Sequence, residues 1–547
     1  MTQTAAQSLV ANLSTHGVDR VFCVPGESYL AVLDALHDRN DIQTIACRHE
    51  GGAGFMAVAD AKLSERPGVC FVSRGPGATN ASIAVHTAEQ DAVPLVLFIG
   101  QVARADIGRG AFQEVDYQQT FGDMAKGVWT VNDPNLVPET VARAFRMAMA
   151  GTPGPVVVVL PEDMLTEQTG APAVEPLAVP AIRPAATDVD RAAAMLMDAK
   201  RPLIIAGGGV GSSAGRAALA AAAERHGVPV ATSFKRQDLF DNRNPLFAGH
   251  LGFGIPQKQV DLYRDADLIL AVGTRLGDTT TQGFSFPEAP RPSQSLIHVY
   301  ADPAHVGRMY ATDLAIVSDP ADFLQELATR DARPASSDWA AKLHGYVQDM
   351  AVWKAPDGGV VMGHVVAALR DHLNDDAVLI TDAGNFSSWL HRHFPFRPSH
   401  RLVGAVAGAM GLGMPAAVAA GLREPEKQVV TFIGDGGCLM TGNELATAVH
   451  YGVPVRAFVS NNGSYGTIRL HQEKYYPGRV SATDLTNPDF AALAEAFGAR
   501  GLTIATAADV EPVVAEAMAH PGPVVVDGRT DVEQISAFVS ISQLQAP

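Results

Sequence analysis

An aspartate and a pair of asparagines each follow an apolar run near the C-terminal end of the sequence. Asp435 lies in Gly434–Gly437 after KQVVTFI, and Asn461 and Asn462 follow VPVRAFVS. A carboxylate, an amide oxygen and a nearby backbone carbonyl form a hard oxygen site. Such a site suits Mg²⁺, which keeps one or two protein carboxylates and shares its shell with phosphates. The glycines would let the backbone approach a phosphate. The alternative is that both segments are ordinary tight turns.

The elements around these residues are expected to bring them to one sheet edge. Both apolar runs predict buried strands. The intervening TGNELATAVHYG predicts a helix, with Thr441 and Glu444 spaced as a capping box. Asp435 and Asn462 would then lie at the carboxyl ends of two strands of one sheet, where open α/β sheets bind ligands.

The same alternation of strand and helix continues along the whole chain. Apolar runs such as PLVLFIG, RPLIIAGGG and DAVLITDAG alternate with Ala-rich helical stretches. Continuous apolar runs are typical of parallel strands that are buried on both faces, so we predict an α/β protein of doubly wound parallel sheets. Junctions that end a helix, carry a proline and start a strand recur from Asp91, His226 and Tyr451, which suggests three related units.

Two Pro- and Ala-rich stretches indicate linkers between these units. One is APAVEPLAVPAIRPAATD from Ala171, and a weaker one surrounds RDARPASSD from Arg330. We therefore predict domains at about 1–180, 181–340 and 350–547.

Charge and cysteine content narrow the class of partner. The formal charge of −17 argues against nucleic acid or an anionic membrane. Cys23, Cys47, Cys70 and Cys438 form no CxxC pair and lie in or beside apolar runs, which predicts buried thiols in a reducing compartment. The N-terminus does not resemble a signal peptide and no apolar run is long enough to span a bilayer, so we expect a cytoplasmic protein.

Taken together, the GDG and NN segments resemble the thiamine diphosphate motif of the thiamine-dependent enzymes. Blocks at 48–61, 75–80, 100–116 and 408–417 resemble those of the acetohydroxyacid (acetolactate) synthase branch, so the resemblance covers nearly the whole chain. It implies a thiamine pyrimidine-binding domain, a central Rossmann-like domain and a domain that binds the diphosphate and Mg²⁺. It also implies a homodimer or a dimer of dimers, a homotetramer, with cofactor sites at the chain interface.

The resemblance also assigns cofactor contacts to individual residues. Asp435, Asn462 and the backbone carbonyl of Ser464 would bind Mg²⁺ and the diphosphate. Met410 would hold thiamine in its bent form. The other cofactor-binding positions that the resemblance implies are Pro25, Gly26, Asn80, Asn385, Gly408, Gly434, Gly436, Gly437, Tyr465 and Gly466.

Glu50 would be the acid that activates the cofactor. Thiamine works through a carbanion at C2, and the cofactor supplies the electron sink. A carboxyl group that is hydrogen-bonded to the pyrimidine N1′ favours the imino tautomer that deprotonates C2. An apolar pocket would raise the pKa of Glu50 so that it can share this proton. Gly51, Gly52 and Ala53 would leave room for a flat ring. The alternative is a surface glutamate that caps a helix.

Substrate-pocket residues come from a neighbouring block. Phe112 and Gln113 would line the pocket, and Lys126 matches a lysine of the same block. Gln113 could instead be a loop amide without a partner, and Lys126 a solvated lysine.

Two segments depart from the synthase pattern. Flavin-containing synthases carry R-F-D-D-R in the central domain, whereas this chain has Arg275–Thr279, which lacks the second arginine and argues against bound FAD. The glycines at 207–209 are by themselves a weak nucleotide signal. His471 stands where synthases that use 2-oxobutyrate carry tryptophan, which argues against the usual branched-chain biosynthetic role.

Further positions bear on the type of reaction. Simple decarboxylases carry an acid where this chain has Ile468, and a histidine pair where it has Phe112 and Gln113. Both differences favour decarboxylation of a 2-oxo acid, by default pyruvate, with transfer of the acyl carbanion to a second carbonyl compound. A non-oxidative decarboxylase that releases an aldehyde is the alternative, and a cofactor-binding protein without turnover is a third reading. Glyoxylate carboligases are similar overall but have an apolar residue in place of Glu50, which argues against that class.

Glu27 also departs from the synthase pattern, because synthases have a small residue there and decarboxylases an aspartate. It follows FCVPG, so its side chain should leave the sheet edge towards the thiazolium ring. It could be protonated and donate to the bound intermediate. It could pair with a cation on a larger substrate or on the protein, with Arg469 and His471 as candidates. It could also turn outward and cap the next helix.

Overall fold

Three six-stranded parallel sheets form the framework of the protein. The structure, a computed structural model, describes residues 3–332 and 337–546. The predicted α/β class and the three doubly wound sheets are therefore confirmed. The domain boundaries near residues 180 and 340 stay a prediction.

The first unit contains one six-stranded sheet and a short antiparallel pair of β1 with β8. Its strands are β1 (Gln3–Thr4), β2 (Arg20–Cys23), β3 (Gln43–Ala46), β4 (Gly68–Val72), β5 (Leu95–Gln101), β6 (Gly127–Thr130), β7 (Pro155–Pro161) and β8 (Gln168–Thr169). Its helices are α1 (Ala5–Thr15), α2 (Leu30–His37), α3 (Glu50–Ser64), α4 (Pro76–Asp91), α5 (Tyr117–Phe121), α6 (Val137–Met149) and α7 (Glu162–Leu165).

The central unit contains the second sheet. Its strands are β9 (Pro202–Ala206), β10 (Val230–Thr232), β11 (Phe247–His250), β12 (Leu268–Val272), β13 (Ser295–Tyr300) and β14 (Leu314–Val317). Its helices are α8 (Ala186–Asp198), α9 (Ser213–His226), α10 (Gln257–Arg264), α11 (Pro320–Ala328) and α12 (Ser337–Ala351).

The third unit contains the last sheet. Its strands are β15 (Val378–Thr381), β16 (Arg401–Gly404), β17 (Val429–Gly434), β18 (Val455–Asn461), β19 (Arg500–Ile504) and β20 (Val524–Arg529). Its helices are α13 (Met362–His372), α14 (Ser387–His393), α15 (Gly413–Arg423), α16 (Asp435–Thr441), α17 (Leu445–Tyr451), α18 (Gly466–Tyr475), α19 (Phe490–Phe497), α20 (Val510–Ala519) and α21 (Ile541–Gln545).

Strand order separates the three units into two kinds. The first sheet has the order β3-β2-β4-β5-β7-β6 and the third β16-β15-β17-β18-β20-β19, which are the same order when strands are counted within each six-stranded sheet. The central sheet has the order β11-β10-β9-β12-β13-β14, that of a dinucleotide-binding fold. The prediction of three related units is thus wrong for the central one. The junctions before β5 and β18 precede equivalent strands, whereas the one before β10 does not.

The sheets are held together by apolar packing on both faces. Every residue of β5 and β7 is buried, as continuous apolar runs predict. Helix α3 packs on α15, and one hydrophobic cluster extends across the first and third units. All four cysteines are buried and free, as predicted. In the described ranges, no helix is long and apolar enough to cross a membrane.

Candidate cofactor site

The candidate metal ligands follow adjacent strands of the third sheet. Strands β17 and β18 run parallel, with Gly434 beside Ser460. Asp435 comes directly after β17, and its buried carboxylate accepts hydrogen bonds from the backbone nitrogens of Gly436 (2.8 Å) and Gly463 (2.8 Å). Burial raises the pKa of Asp435. The carboxylate therefore ties together the two loops in which the sequence predicted a site.

Two residues of this region, Ser464 and Asn487, each carry a buried polar atom without a hydrogen-bond partner among the described residues. The Ser464 nitrogen donates to Asn462 Oδ1 (3.0 Å), but the buried Ser464 Oγ has no hydrogen-bond partner in the part of the chain that the structure describes. Asn487 Nδ2 donates to Asp435 Oδ2 (2.9 Å) and to Asn461 Oδ1 (2.9 Å), and its own Oδ1 is buried without a partner within the described ranges. Buried polar atoms of this kind call for a ligand or water.

Asn487 was not predicted from the sequence. It lies in LTNPDF, which is typical of a turn, and more than twenty residues separate it from the asparagine pair. Only the fold brings it to Asp435.

A glycine-lined approach begins where α16 starts. A Cβ atom on Gly436 would lie 2.5 Å from the Tyr465 ring and 3.5 Å from Met410 Cε. A Cβ on Gly437 would lie 2.6 Å from an Asp382 carboxylate oxygen. A side chain at either position would displace the Tyr465 ring or the Asp382 carboxylate, and Met410 and Tyr465 lie beside the predicted diphosphate turn. The N-terminus of α16 can attract an anion here.

Two further predicted contacts lie at the same edge. A Cβ on Gly466 would lie 2.8 Å from Asn385 Oδ1 and 3.2 Å from Asn462 Nδ2, so these three residues are neighbours. A Cβ on Gly434, the last residue of β17, would lie 2.8 Å from the Phe386 ring. Gly408 has a φ of +71°, a backbone conformation that favours glycine in the turn before Met410.

The loop that carries Met410 is anchored from two domains. Asp382, which follows β15, accepts from the Gly411 nitrogen with both oxygens (2.9 and 3.0 Å). From the first domain, Asp91 accepts from the Ala407 nitrogen (2.9 Å) and forms a buried ion pair with Lys62. The Lys62 ammonium also donates to the Gly404 carbonyl (2.7 Å). Neither anchor was predicted from the sequence.

Glu50 and Asn80 are brought together at the carboxyl edge of the first sheet. Glu50 is the first residue of α3, which follows β3, and its Oε2 accepts from Asn80 Nδ2 (2.9 Å). A Cβ on Gly77 would lie 3.3 Å from Glu50 Oε1. Asn80 thus holds one carboxylate oxygen of Glu50, while the other oxygen lies beside Gly77 in the first turn of α4.

Two predictions about neighbouring residues are wrong. Thr441 and Glu444 form no capping box, because Thr441 donates to the Gly411 carbonyl and Glu444 Oε1 accepts from the nitrogens of Arg48 and His49. Gly52 does not leave room for a ring, because a Cβ there would lie 2.4 Å from Glu444 Oε1.

The substrate-pocket candidates divide between two places. Gln113 has a φ of +64°, and a Cβ on Gly75 would lie 2.6 Å from its carbonyl oxygen, so Gln113 lies at the turn that leads to Asn80. Phe112 is 74% exposed. Lys126 is elsewhere, because it precedes β6 at the amino edge of the sheet and donates to the Thr152 carbonyl (2.7 Å). The structure therefore does not bring Lys126 to the carboxyl edge of the first sheet, where Glu50 lies.

Glu27 pairs with an arginine that the sequence did not single out. Arg74 follows β4, is nearly buried, and donates to Glu27 Oε1 (2.8 Å) and to Glu162 Oε2 (2.8 Å). Within one chain the predicted candidates do not pair with Glu27, because Arg469 pairs with Glu473 and the His471 ring stacks on Tyr475.

The backbone around this ion pair is tightly packed. A Cβ on Gly26, which follows Pro25, would lie 2.6 Å from Ser73 Cβ, and Ser28 Oγ lies 2.9 Å from Ser73 Oγ. Glu27 does not cap the next helix, since no side-chain cap is formed there. Its side chain is 70% exposed, so it faces the space off the sheet edge.

The residues present fit thiamine diphosphate and Mg²⁺. Asp435, Asn462 and Ser464 supply a hard oxygen set with one carboxylate, and Ser464 Oγ and Asn487 Oδ1 are buried polar atoms without partners in the described ranges. Among residues 3–332 and 337–546, no group of three or more His, Cys, Asp and Glu side chains could hold a metal ion.

Comparisons with known proteins agree with the geometry. Family models of the thiamine pyrophosphate (diphosphate) enzymes match three segments: the N-terminal binding domain at 3–120, the central domain at 189–327 and the C-terminal binding domain at 382–528. The acetolactate synthase large subunit of Parasynechococcus marenigrum is 35% identical over 96% of this chain and 87% of its own. Acetolactate synthase isozyme 1 large subunit of Escherichia coli is 32% identical over 97% and 94%. The chain therefore belongs to the thiamine pyrophosphate enzymes, in the branch of the acetolactate synthase large subunits.

Proposed function

We propose that this thiamine diphosphate-dependent enzyme decarboxylates a 2-oxo acid, by default pyruvate, and transfers the acyl unit to a second carbonyl compound. The observation that carries this proposal is the pair of sheet edges described above. One holds a glutamate against an asparagine, and the other holds a buried aspartate between glycine turns. The names of the relatives support acetolactate as the product.

Mg²⁺ and the diphosphate would be held at the third-sheet edge. Asp435, Asn462 and the Ser464 carbonyl would ligate the ion, and the turn at Gly436 and Gly437 would approach the phosphates. A divalent ion there would also neutralise the buried Asp435 carboxylate. Bound thiamine diphosphate would supply the nucleophilic carbon and the electron sink.

Glu50 would act on the cofactor through a proton. Its Oε2 is held by Asn80, which leaves Oε1 to share a proton with the pyrimidine N1′. Met410 and Tyr465, which lie beside Gly436, would fix the orientation of the ring system. Asn80 is therefore a positioning residue for Glu50 in this proposal.

The pocket residues favour transfer over aldehyde release. Phe112, Gln113 and Ile468 lack a carboxyl or imidazole group that could protonate the bound carbon. The exposed Glu27 carboxylate is the observation that favours the alternative, a decarboxylase that releases an aldehyde. Its ion pair with Arg74 opposes that alternative, because Glu27 Oε1 is already engaged by the Arg74 guanidinium (2.8 Å).

We also propose that two chains share each site, in a homodimer or a dimer of dimers. Large apolar side chains are exposed beside both edges, including Phe112 and Ile83 in the first unit and Leu439, Met440 and Ile468 in the third. Exposed apolar residues around a polar site are typical of an interface. Glu50 of one chain would then meet Asp435 of its partner.

The remaining parts of the proposal concern FAD and location. Arg275 donates to the Gln90 carbonyl and Asp278 accepts from the Thr279 nitrogen (2.7 Å), so this segment is engaged by the protein itself. We propose that the enzyme acts without FAD, which a visible spectrum of the purified protein tests. We further propose a cytoplasmic location and a domain division near residues 180 and 340.

A product assay tests the proposed activity. Holoenzyme with Mg²⁺ is given pyruvate, alone and with longer 2-oxo acids, and the products are separated. We expect a 2-hydroxy-2-methyl-3-oxo acid as the main product. Free aldehyde as the main product would establish the alternative, and no turnover with tightly bound cofactor would overturn both.

A further inference from the structure

Glu444 connects the two cofactor-binding domains within one chain. It ends the short 3-10 helix Gly442–Glu444 between α16 and α17, and it is fully buried. Its Oε1 accepts from the backbone nitrogens of Arg48 and His49, each at 3.0 Å, and its Oε2 accepts from Thr447 Oγ1 at 2.6 Å. All the hydrogen bonds of this carboxylate are therefore directed to fixed partners.

The two backbone nitrogens lie directly before Glu50. His49 is the N-cap of α3, and its Nδ1 accepts from the Gly51 nitrogen (3.0 Å). Gly52 is the residue that permits the approach, because any larger side chain would meet the Glu444 carboxylate. Glu444 thus holds the segment that carries Glu50 from the main-chain side, while Asn80 holds the Glu50 carboxylate tip (2.9 Å).

We infer that Glu444 is a positioning residue for Glu50, which sets the distance from the Glu50 carboxylate to the cofactor. This inference rests on the proposed role of Glu50. A side chain that must share a proton with a ring nitrogen tolerates little displacement, and a misplacement of about 1 Å can cost up to roughly 10²-fold in rate. Because Glu444 follows α16, which starts at Asp435, one short segment supports both the metal site and Glu50 of the same chain.

The rival explanation is that Glu444 only docks one domain on the other. Arg423 provides a matched control, because it joins the same two domains near the C-terminal end of α3, whereas Glu444 acts at its N-terminal end. Its Nε and Nη2 donate to Asp60 Oδ1 (2.8 Å) and Oδ2 (2.9 Å), and it also pairs with Asp19. Loss of Arg423 should weaken docking and leave the Glu50 end of α3 in place.

The experiment compares Glu444→Asp, Glu444→Gln and Arg423→Gln with the wild type as Mg²⁺-loaded holoenzymes. Three quantities are measured: the rate of deuterium exchange at the thiazolium C2, the calorimetric affinity for thiamine diphosphate, and the melting temperature. Aspartate is one methylene shorter and withdraws the acceptor from Arg48 and His49. Glutamine keeps an oxygen in the same place.

We expect Glu444→Asp to lower the exchange rate by roughly tenfold to 10²-fold, with cofactor affinity within a few-fold of the wild type. Glu444→Gln should restore most of the rate. Arg423→Gln should lower the melting temperature and leave exchange unchanged. If Glu444→Asp does not fold, Thr447→Val tests the same contact, because it removes the hydroxyl that orients the carboxylate, and it should lower exchange by a smaller factor.

Wild-type exchange in Glu444→Asp, or an equal loss in Arg423→Gln, would overturn the inference. An equally large loss in Glu444→Gln would also overturn it, because the charge rather than the position would then matter. Glu50→Gln separates this failure from that of the proposed function. If Glu50→Gln lowers exchange and the Glu444 variants do not, only the positioning role fails. If Glu50→Gln has no effect, the proposed role of Glu50 fails.

Discussion

The first and third sheets have the same strand order but carry different charges at equivalent points: an ion pair in the first sheet and two carboxylates in the third. The strand order changes direction between β2 and β4 in the first sheet and between β15 and β17 in the third. Such sheets bind ligands at this point. In the first sheet, Glu27 and Arg74 follow these two strands and neutralise each other (2.8 Å). In the third sheet, Asp382 and Asp435 follow them, and both are buried carboxylates whose pKa values are raised by burial.

This difference supports the proposal that Mg²⁺ is held at the third sheet rather than at the first. Two buried carboxylates at one sheet edge are costly without a cation. Lys235 lies near Asp382, but its ammonium reaches only the Asp382 carbonyl, at 3.5 Å. The first sheet already has its own cation in Arg74. One fold therefore serves two tasks, and the loops after the strands decide which.

The largest expected effect comes from removing the Asp435 carboxylate. Asp435→Ala should abolish Mg²⁺-dependent binding of thiamine diphosphate, because the diphosphate loses its charge bridge. Calorimetry with and without Mg²⁺ measures this. Asp484→Ala, which removes an exposed carboxylate beside Ser464, is the control and should bind normally. If Asp435→Ala binds thiamine diphosphate with wild-type affinity, the proposed metal site at the third sheet is wrong.

Next in size is the effect of Glu50 on the first sheet. Glu50→Gln keeps its shape and its neighbour Asn80 but loses the shared proton, so turnover should fall by roughly 10²-fold or more. The melting temperature and cofactor affinity should change little, since the residue begins a helix that other contacts hold. Steady-state kinetics with saturating cofactor checks this, and unchanged turnover would exclude Glu50 from the mechanism.

Stability against pH provides a smaller test of the third sheet. A carboxyl group whose folded pKa is raised above its unfolded value binds more protons in the native state, so its contribution to stability falls as pH rises through that window. Compared with Asp435→Asn, which cannot ionise at this position, the metal-free wild type should therefore lose stability as pH rises from acidic to neutral. Thermal melts in EDTA across pH measure this. A difference in stability between the two proteins that does not change with pH would contradict the argument.

The smallest effect is expected at the Glu27 and Arg74 pair. Glu27 is mostly exposed, so Glu27→Gln should cost about 0–1 kcal/mol of stability. A change in the ratio of carboligation product to aldehyde would show that Glu27 takes part in proton transfer. A change confined to the preferred 2-oxo acid would show that it contacts substrate. If Glu27→Gln matches the wild type in rate, ratio and preference, Glu27 lies outside the active site.

The sequence predicted those features that depend on local pattern. Buried strands such as β5 and β17 are continuous apolar runs, and Asp435 and Asn462 follow two of them, so their common edge could be derived. Contacts between distant segments could not. Asn487, Arg74 and Glu444 reach their partners only through the folded chain, and the spacing of Thr441 and Glu444 suggested a local cap instead. The strand order of the central sheet likewise could not be predicted, because no local sequence pattern indicates it.

The central claim is that Glu50 of one chain works with Asp435 of its partner. Co-expression of Glu50→Gln and Asp435→Ala chains with different tags allows the mixed dimer to be isolated. It should regain about half of the wild-type activity, because one of its two symmetry-related sites is then intact. The control pairs a wild-type chain with a chain that carries both substitutions, and it should be inactive. Activity in the control and none in the mixed dimer would contradict the account, because each site would then lie within one chain.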